Sequence, residues 1–493
     1  MGRYVLGFDI GSSSVKAALL DIETGTAAAI AFSPSSEMPM SAPMPGFAEQ
    51  DPDMWWSELL NAVALLKKQV NWYPDDVMAI GISYQMHGLV CVDKEMKPLR
   101  PSIIWCDSRA VPYGNAAASA LGDEFVLKHY LNSPGNFTAS KLKWVRENEP
   151  EIYKQIHKVM LPGDYIAARL TGDIATTVSG LSEGIMWDFS GAGIASDLLA
   201  YYNIDPALLA DTVPTFGMQG RLRESEAALI GARAGIPVSY RAGDQPNNAW
   251  SLNVLEPGDV AATAGTSGVV YGVTDKINFD PRSRVNSFAH VNHMDPSVRL
   301  GILLCVNGTG ILNSWLRKNF FSGMSYEEMN VKAAGVTPGA GGVLFYPFGN
   351  GAERVLENKE PGGAMRGLSF NRHHAGHVIR AAQEGIVFAL QYGMEVMKEM
   401  GMEIGRVRAG HANMFLSDVF ATAFANTSGA TLELYNTDGA VGAARGAALG
   451  AGLFTPREEC FRGMAKVKEY MAEAELKEAY GAAYANWKQH LEK

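Results

Sequence analysis

Cysteine is scarce in this chain and unpatterned: Cys91, Cys106, Cys305 and Cys460 are scattered through 493 residues, with no C-x-x-C pair. That fits a reducing compartment, so a cytoplasmic location is expected. Long apolar runs are missing too. No stretch approaches the ~20 residues that span a bilayer. The N-terminus has no signal-peptide pattern, and Leu6 stands where a myristoylation signal needs Ser or Thr. There is no polybasic block and the net charge is −10, which argues against nucleic acid or an anionic membrane as the main partner. The common nucleotide and catalytic signatures are also absent. G-x-x-x-x-G-K-[ST], H-E-x-x-H and H-R-D do not occur, and Gly339-Ala340-Gly341 and Gly349-Asn350-Gly351 both fail to complete G-x-G-x-x-G. A nucleotide here needs another scaffold, with its charge met locally by N–H groups and a metal.

Two glycine- and hydroxyl-rich turns offer such a scaffold. Asp9-Ile-Gly-Ser-Ser-Ser lies between the apolar runs 4–8 and 15–20, and Ala264-Gly-Thr-Ser-Gly lies between 260–263 and 269–273. Each reads as a β-hairpin with small residues at its tip. Glycine allows close approach, and successive N–H groups and hydroxyls can cradle phosphate oxygens. Two such tips suggest half-sites closing on one triphosphate from opposite sides.

With 47% hydrophobic and 19% charged residues, the chain is an ordinary globular one. Its length exceeds one core, and roughly 150 residues per domain suggests two to four domains. A helix is expected after Asp51-Pro52, with Trp56, Leu59, Leu60, Val63 and Leu66 at helical spacing. Val77–Ser83 reads as a strand, Leu89–Val92 as its partner, and 103–105 as another strand. Val238–Ala242 reads as a strand leading into Gly243-Asp244-Gln245, next to a boundary near 235–258. Later come a long amphipathic helix through Ile379 to Met397, a helix from about Met414 to Gly429, a Gly/Ala run at 439–452 suited to close packing, and a docking helix bearing Tyr480, Tyr484, Trp487 and Leu491. The same grammar in both halves indicates α/β architecture in two similar lobes, with the ligand between them.

Asp9 ends a strand at the mouth of the first turn, where a carboxylate could hold Mg²⁺ through water or merely bond its own turn. Lys16 could reach phosphate or point outward. Asp244 follows a strand and could accept a proton from an attacking hydroxyl and align it in line with phosphorus; it could equally cap the helix that follows. Gln85-Met86-His87-Gly88, with Trp105 and Asp107, offers the donors, acceptors and aromatic face that a polyol or sugar needs, although His87 and Trp105 taken singly suit core packing.

Together these segments resemble the FGGY carbohydrate kinases, most closely their xylulose-phosphorylating members, over nearly the whole chain. The resemblance rests on Asp9-Ile-Gly-Ser-Ser-Ser-Val-Lys, Gln85-Met-His-Gly-Leu, Trp105-x-Asp107-x-Arg109, Gly243-Asp-Gln, Gly265-Thr-Ser-Gly, and Arg380-Ala with Glu384-Gly. It implies a two-lobed actin-like ATPase (ribonuclease H-like) fold, with a sugar-binding domain over 1–244 and an ATP-binding domain over 245–493. It implies ATP and Mg²⁺ as cofactors and a ketopentose, D-xylulose first, phosphorylated at its terminal hydroxyl, with a homodimer left open. Asp244 carries over as general base and Asp9 as the metal-positioning acid. Gln85, Met86, His87, Trp105, Asp107 and Asp244 carry over as sugar contacts. Gly11, Ser12, Ser13, Gly265, Thr266, Ser267, Gly268, Gly308, Gly410, His411 and Ala412 carry over as nucleotide contacts. Three departures stand out: Tyr84 replaces a usual Gly and is expected to add bulk beside the sugar pocket, Ala409-Gly410-His411-Ala412 replaces G-G-G-A, and Ala264 replaces a typical Leu, a small change. Another ketopentose, a polyol or a sugar acid therefore stays open as substrate. So does an actin-like nucleotide switch without a sugar.

Overall fold

Each half of the chain builds a sheet outward from a hairpin. The computed structural model describes residues 3–294 and 296–491. In the first sheet Tyr4–Ile10 and Val15–Asp21 pair antiparallel, and Ala27–Ser33 continues the meander. Val77–Tyr84 and then Pro237–Gly243 join parallel to Tyr4–Ile10, and Phe216–Arg221 closes the edge antiparallel. The second sheet repeats this order. Val260–Ala264 and Gly268–Thr274 form the hairpin, and Leu300–Val306 is the third meander strand. Arg406–Gly410 and Thr431–Tyr435 follow in parallel, and Asn286–Ala289 and Lys466–Tyr470 extend the two edges. Three antiparallel strands followed by two parallel ones, used twice, make the two-lobed actin-like architecture. In both sheets the parallel strands end at one edge, where open α/β sheets bind ligands.

The Gly/Ala run forms the helix Gly439–Gly450, which lies on the first sheet although it comes from the second half of the chain. Close approach requires its composition. A Cβ on Gly7 or on Gly81 would fall on the carbonyls of Ala440 or Ala443. The helix Asp244–Ser251 crosses it, with Trp250 Nε1 donating to the Gly442 carbonyl at 2.9 Å and Asn247 Nδ2 to that of Gly439 at 2.9 Å. The lobes also meet where the helix Val178–Glu183 docks on the edge strand Asn286–Ala289. Ser182 Oγ accepts from the Ala289 N–H (2.8 Å), and Ser179 Oγ donates to the Ala289 carbonyl (3.0 Å).

The helix Pro52–Gln69 starts as expected, with the Asp51 side chain accepting from the Asp53 N–H. The C-terminal helix Ala474–Leu491 buries Tyr480, Tyr484 and Trp487, and Trp487 Nε1 donates to the Phe345 carbonyl. Three expectations are corrected. Val90–Val92 pairs with Lys158–Met160, not with Val77–Tyr84. The strand at 102–103 turns before Trp105. The helix expected from Met414 is a 3-10 turn, Asn413–Leu416, followed by Asp418–Ser428, because Ser417 caps the latter with its side chain. Among the described residues no helix is long and apolar enough to cross a membrane.

Candidate active site

The carboxyl edge of the first sheet carries Asp9, Gln85-Met86-His87 and Asp244 at the ends of three neighbouring parallel strands. Asp9 shares a rung with Ser83, whose Oγ donates to Asp9 Oδ1 at 2.8 Å. Asp9 Oδ2 abuts Gly439, the first residue of the helix that Asp438 caps. Burial raises the Asp9 pKa, while Lys16 and Ser83 oppose that shift.

Asp244 opens its helix as the first helical residue. Gly243 occupies the cap position, so Asp244 stands inside the helix and not at its N-cap. Gln245 Nε2 donates to Asp244 Oδ2 at 3.1 Å. Burial, and then the charge of Asp9, push the Asp244 pKa up to about 7. A carboxylate poised near neutral pH suits a general base. It also lies within the field of Cys305 in the second lobe, whose thiol is held by Ser267 of the second turn.

Near Asp244 an aromatic cluster is built from both lobes. His87 stacks edge-on to Phe137 (4.8 Å) from its own lobe and faces Phe288 (5.3 Å) from the second. Arg354, also from the second lobe, lies over Phe137 at 5.7 Å and acts electrostatically on His87. Sequence reasoning missed Arg354, Phe137 and Phe288, which sit outside its motifs. His87 has φ 63, the left-handed region. Its Nδ1–H donates to the Glu183 carbonyl at 2.9 Å, because a carbonyl can only accept. Burial lowers its pKa to about 3, so the ring is neutral and Nε2 is an acceptor. Trp105, 40% exposed, donates from Nε1 to Ser12 Oγ at 3.3 Å, which joins the sugar segment to the first turn.

On the facing edge, the second turn is braced by the helix Gly310–Asn319. The N–H groups of Gly310 and Ile311 donate to the Gly265 and Thr266 carbonyls (2.8 and 3.1 Å). His411 and Ala412 lie exposed at the end of the parallel strand Arg406–Gly410, next to the second turn's own strand. Asn413 presents its amide to Gly265, 3.6 Å from where a Cβ would stand. Asn413 is a further residue the motifs did not reveal. In the first turn the Gly11 N–H donates to the Ser14 carbonyl, and the Ser13 carbonyl accepts from Met38.

Several sequence assignments change. Asp107 does not line the pocket. It is fully buried, accepting from the Ala48 N–H (2.6 Å) and paired with Arg109 (2.7 Å). Gln85 is buried, and its Nε2 donates to Gln50 Oε1 (3.3 Å); Gln50 in turn holds the Ser12 carbonyl (2.7 Å). Gln85 therefore braces the first phosphate turn. Gly308 is packed against the Pro347 carbonyl, where no Cβ fits, so packing explains the glycine. Tyr84 pairs with Ile10 and points away from the Asp9 face, so its ring packs on Gly163 and adds no bulk to the pocket. The run Gly180-Leu-Ser-Glu-Gly spells G-x-S-x-G, but it lies on a helix with Ser182 bonded to backbone, unlike the strand-to-helix nucleophile elbow.

Residues 4–249 match the N-terminal domain of the FGGY family of carbohydrate kinases, and residues 260–453 match its C-terminal domain. The chain belongs to that family. As an FGGY kinase it is an ATP-dependent sugar kinase, which sets aside the nucleotide switch without a sugar. It is 32% identical over 451 residues to a xylulose kinase of Escherichia coli strain K12, covering 90% of this chain and 88% of that one. Among solved structures it is similar to a xyloylose kinase from Brucella ovis (27% identity, TM-score 0.87) and a xylulose kinase from Rhodospirillum rubrum (26%, TM-score 0.85). Each comparison covers 99% of this chain and 98% of the other.

Proposed function

We propose that this FGGY kinase transfers the γ-phosphoryl group of ATP to the terminal hydroxyl of D-xylulose, giving D-xylulose 5-phosphate and ADP in the cytoplasm. The observation that carries the reading is Asp244, a carboxylate poised near pH 7, near a two-lobed aromatic cluster in which His87 is a neutral acceptor. His87 Nε2 takes a hydrogen bond from a sugar hydroxyl, and the Phe137 and Phe288 rings meet its C–H face. As the terminal oxygen bonds to phosphorus and the bond to ADP breaks, the hydroxyl proton passes to Asp244. The two glycine turns hold the triphosphate in line.

The residues fit a Mg²⁺ ion held through water. Asp9 is a fixed carboxylate beside the first turn, while the described residues contain no cluster of three or more side chains able to ligate a metal directly. When bound, Mg²⁺ neutralises phosphate charge. Closure of the lobes over the sugar keeps water from the γ-phosphate.

A coupled ADP-release assay over a panel of ketoses, polyols and sugar acids tests this reading. D-xylulose is expected to give the highest kcat/KM. A higher value on another sugar would keep the chemistry and replace the substrate, and no sugar-dependent turnover would end the proposal.

A further inference from the structure

His87 is committed at every polar atom but one. Its N–H donates to Glu183 Oε1 (3.3 Å), its ring Nδ1–H donates to the Glu183 carbonyl (2.9 Å), and its carbonyl accepts from the buried Lys141 Nζ (2.8 Å). Phe137 and Phe288 flank the ring. Among the described residues, only its Nε2 finds no hydrogen-bond partner. This clamp holds a residue with φ 63, a conformation that non-glycine residues rarely adopt unless their surroundings over-determine it.

Two of the three bonds come from Glu183, which is buried at the end of the helix Val178–Glu183. Its Oε2 abuts Gly243, next to Asp244, and Tyr84 supplies a side-chain hydrogen bond to this acid. Burying an acid without a charged partner is costly, so its retention calls for a role. Burial pushes its pKa well above the usual carboxylate range, and the Asp244 and Asp164 charges add to that shift. Tyr84, fixed against Gly163, turns its hydroxyl toward this acid, which accounts for its departure from the usual Gly.

We infer that Glu183 is the positioning residue of the sugar site, clamping His87 in the one backbone and ring arrangement that offers Nε2 to a sugar hydroxyl. It touches neither the reacting atoms nor ATP, so its loss is felt in sugar binding. The inference rests on the ketose reading of the pocket.

The test compares Glu183→Ala, Glu183→Gln and His87→Ala in the D-xylulose assay, with KM for ATP as the control. Glu183→Ala is expected to raise the D-xylulose KM at least about tenfold, leaving kcat and the ATP KM within about threefold. Glu183→Gln keeps the Oε1 acceptor and the shape, and is expected to restore KM to within about threefold of wild type. An unchanged KM in Glu183→Ala beside a raised one in His87→Ala overturns the inference alone, and so does Glu183→Gln as impaired as Glu183→Ala. Equal losses for sugar and ATP also overturn it, since they mark general damage to the fold. A wild-type enzyme without ketose turnover overturns both this and the functional reading.

Discussion

Ser83 Oγ donates its 2.8 Å hydrogen bond to Asp9 Oδ1 across one rung of the parallel pair Tyr4–Ile10 and Val77–Tyr84. The rung is rigid and Ser83 is fully buried, so the bond fixes which Asp9 oxygen stays available at the phosphate turn. Hydrogen bonds to charged groups are worth about 1.5–3 kcal/mol. Removing this one also pushes the buried acid further toward its neutral form. Ser83→Ala is therefore expected to lower kcat roughly tenfold, the equivalent of about 1.4 kcal/mol, and to raise the Mg²⁺ concentration for half-maximal rate. The D-xylulose KM stays unchanged. A Mg²⁺ titration of the variant checks this; a wild-type titration curve would mean that Asp9 needs no such support.

Asp244 gives a prediction with two opposite signs. Its carboxyl group titrates at about 7, raised by burial and by Asp9. As a base it must be ionised, so kcat/KM is expected to fall as the pH drops below 7, approaching tenfold per unit. For stability the sign reverses. Between the ordinary carboxylate range and 7, the folded chain keeps a proton that the unfolded chain releases, so the residue's contribution falls with rising pH and is fully unfavourable above 7. Asp244→Asn should abolish most turnover, by about 10²–10⁴, and raise Tm more at pH 8 than at pH 5. Thermal melts at both pH values decide the second half. An equal shift would remove the case for a buried, poised acid.

How far the sequence foretold this arrangement depends on whether a residue's neighbours are local. The hairpins, the Asp51-Pro52 helix start and the Gly243-Asp244 strand end were all legible, because turn chemistry and strand period are written in consecutive residues. The Gly/Ala run announced close packing but not the partner, and the helix Gly439–Gly450 crosses to the other lobe's sheet. Trp105 and Asp107, two residues apart, part company because Arg109 and the Ala48 N–H draw the carboxylate inward. The strand register would have placed Tyr84 correctly, since it pairs with Ile10 and not with Asp9. Glu183, Arg354 and Asn413 gave no signal. They sit at the end of a short helix or at the start of 3-10 turns, and only tertiary contacts bring them to the cleft.

Gly308 separates a packing role from a nucleotide role. A Cβ there would fall on the Pro347 carbonyl, which is backbone and cannot swing aside. Gly308→Ala is expected to destabilise the second lobe by about 1–3 kcal/mol, as overpacked sites do. The ATP KM of the enzyme that stays folded is expected to remain near wild type. Chemical denaturation beside initial-rate kinetics reads both. A stable variant that binds ATP poorly would return Gly308 to the nucleotide site.

Gly439 tests whether the first phosphate turn and the interlobe helix act as one device. The helix Gly439–Gly450 begins beside the Asp9 carboxyl, where an added Cβ would meet Oδ2, and Asn247 ties the Gly439 carbonyl to the helix that Asp244 opens. One position therefore touches Asp9 directly and reaches the Asp244 helix through Asn247. The Gly439 backbone is already helical and alanine is the better helix former, so the helix itself is not weakened. The collision falls on the Asp9 side chain, which must rotate away from its Ser83 donor. The variant is thus expected to fold with wild-type or higher Tm, to lose kcat by on the order of tenfold or more, and to leave the D-xylulose KM within about threefold. Paired melting and steady-state measurements check this. Full activity in Gly439→Ala would show that Asp9 can leave its rung without consequence, and the metal-positioning role would then fall with it.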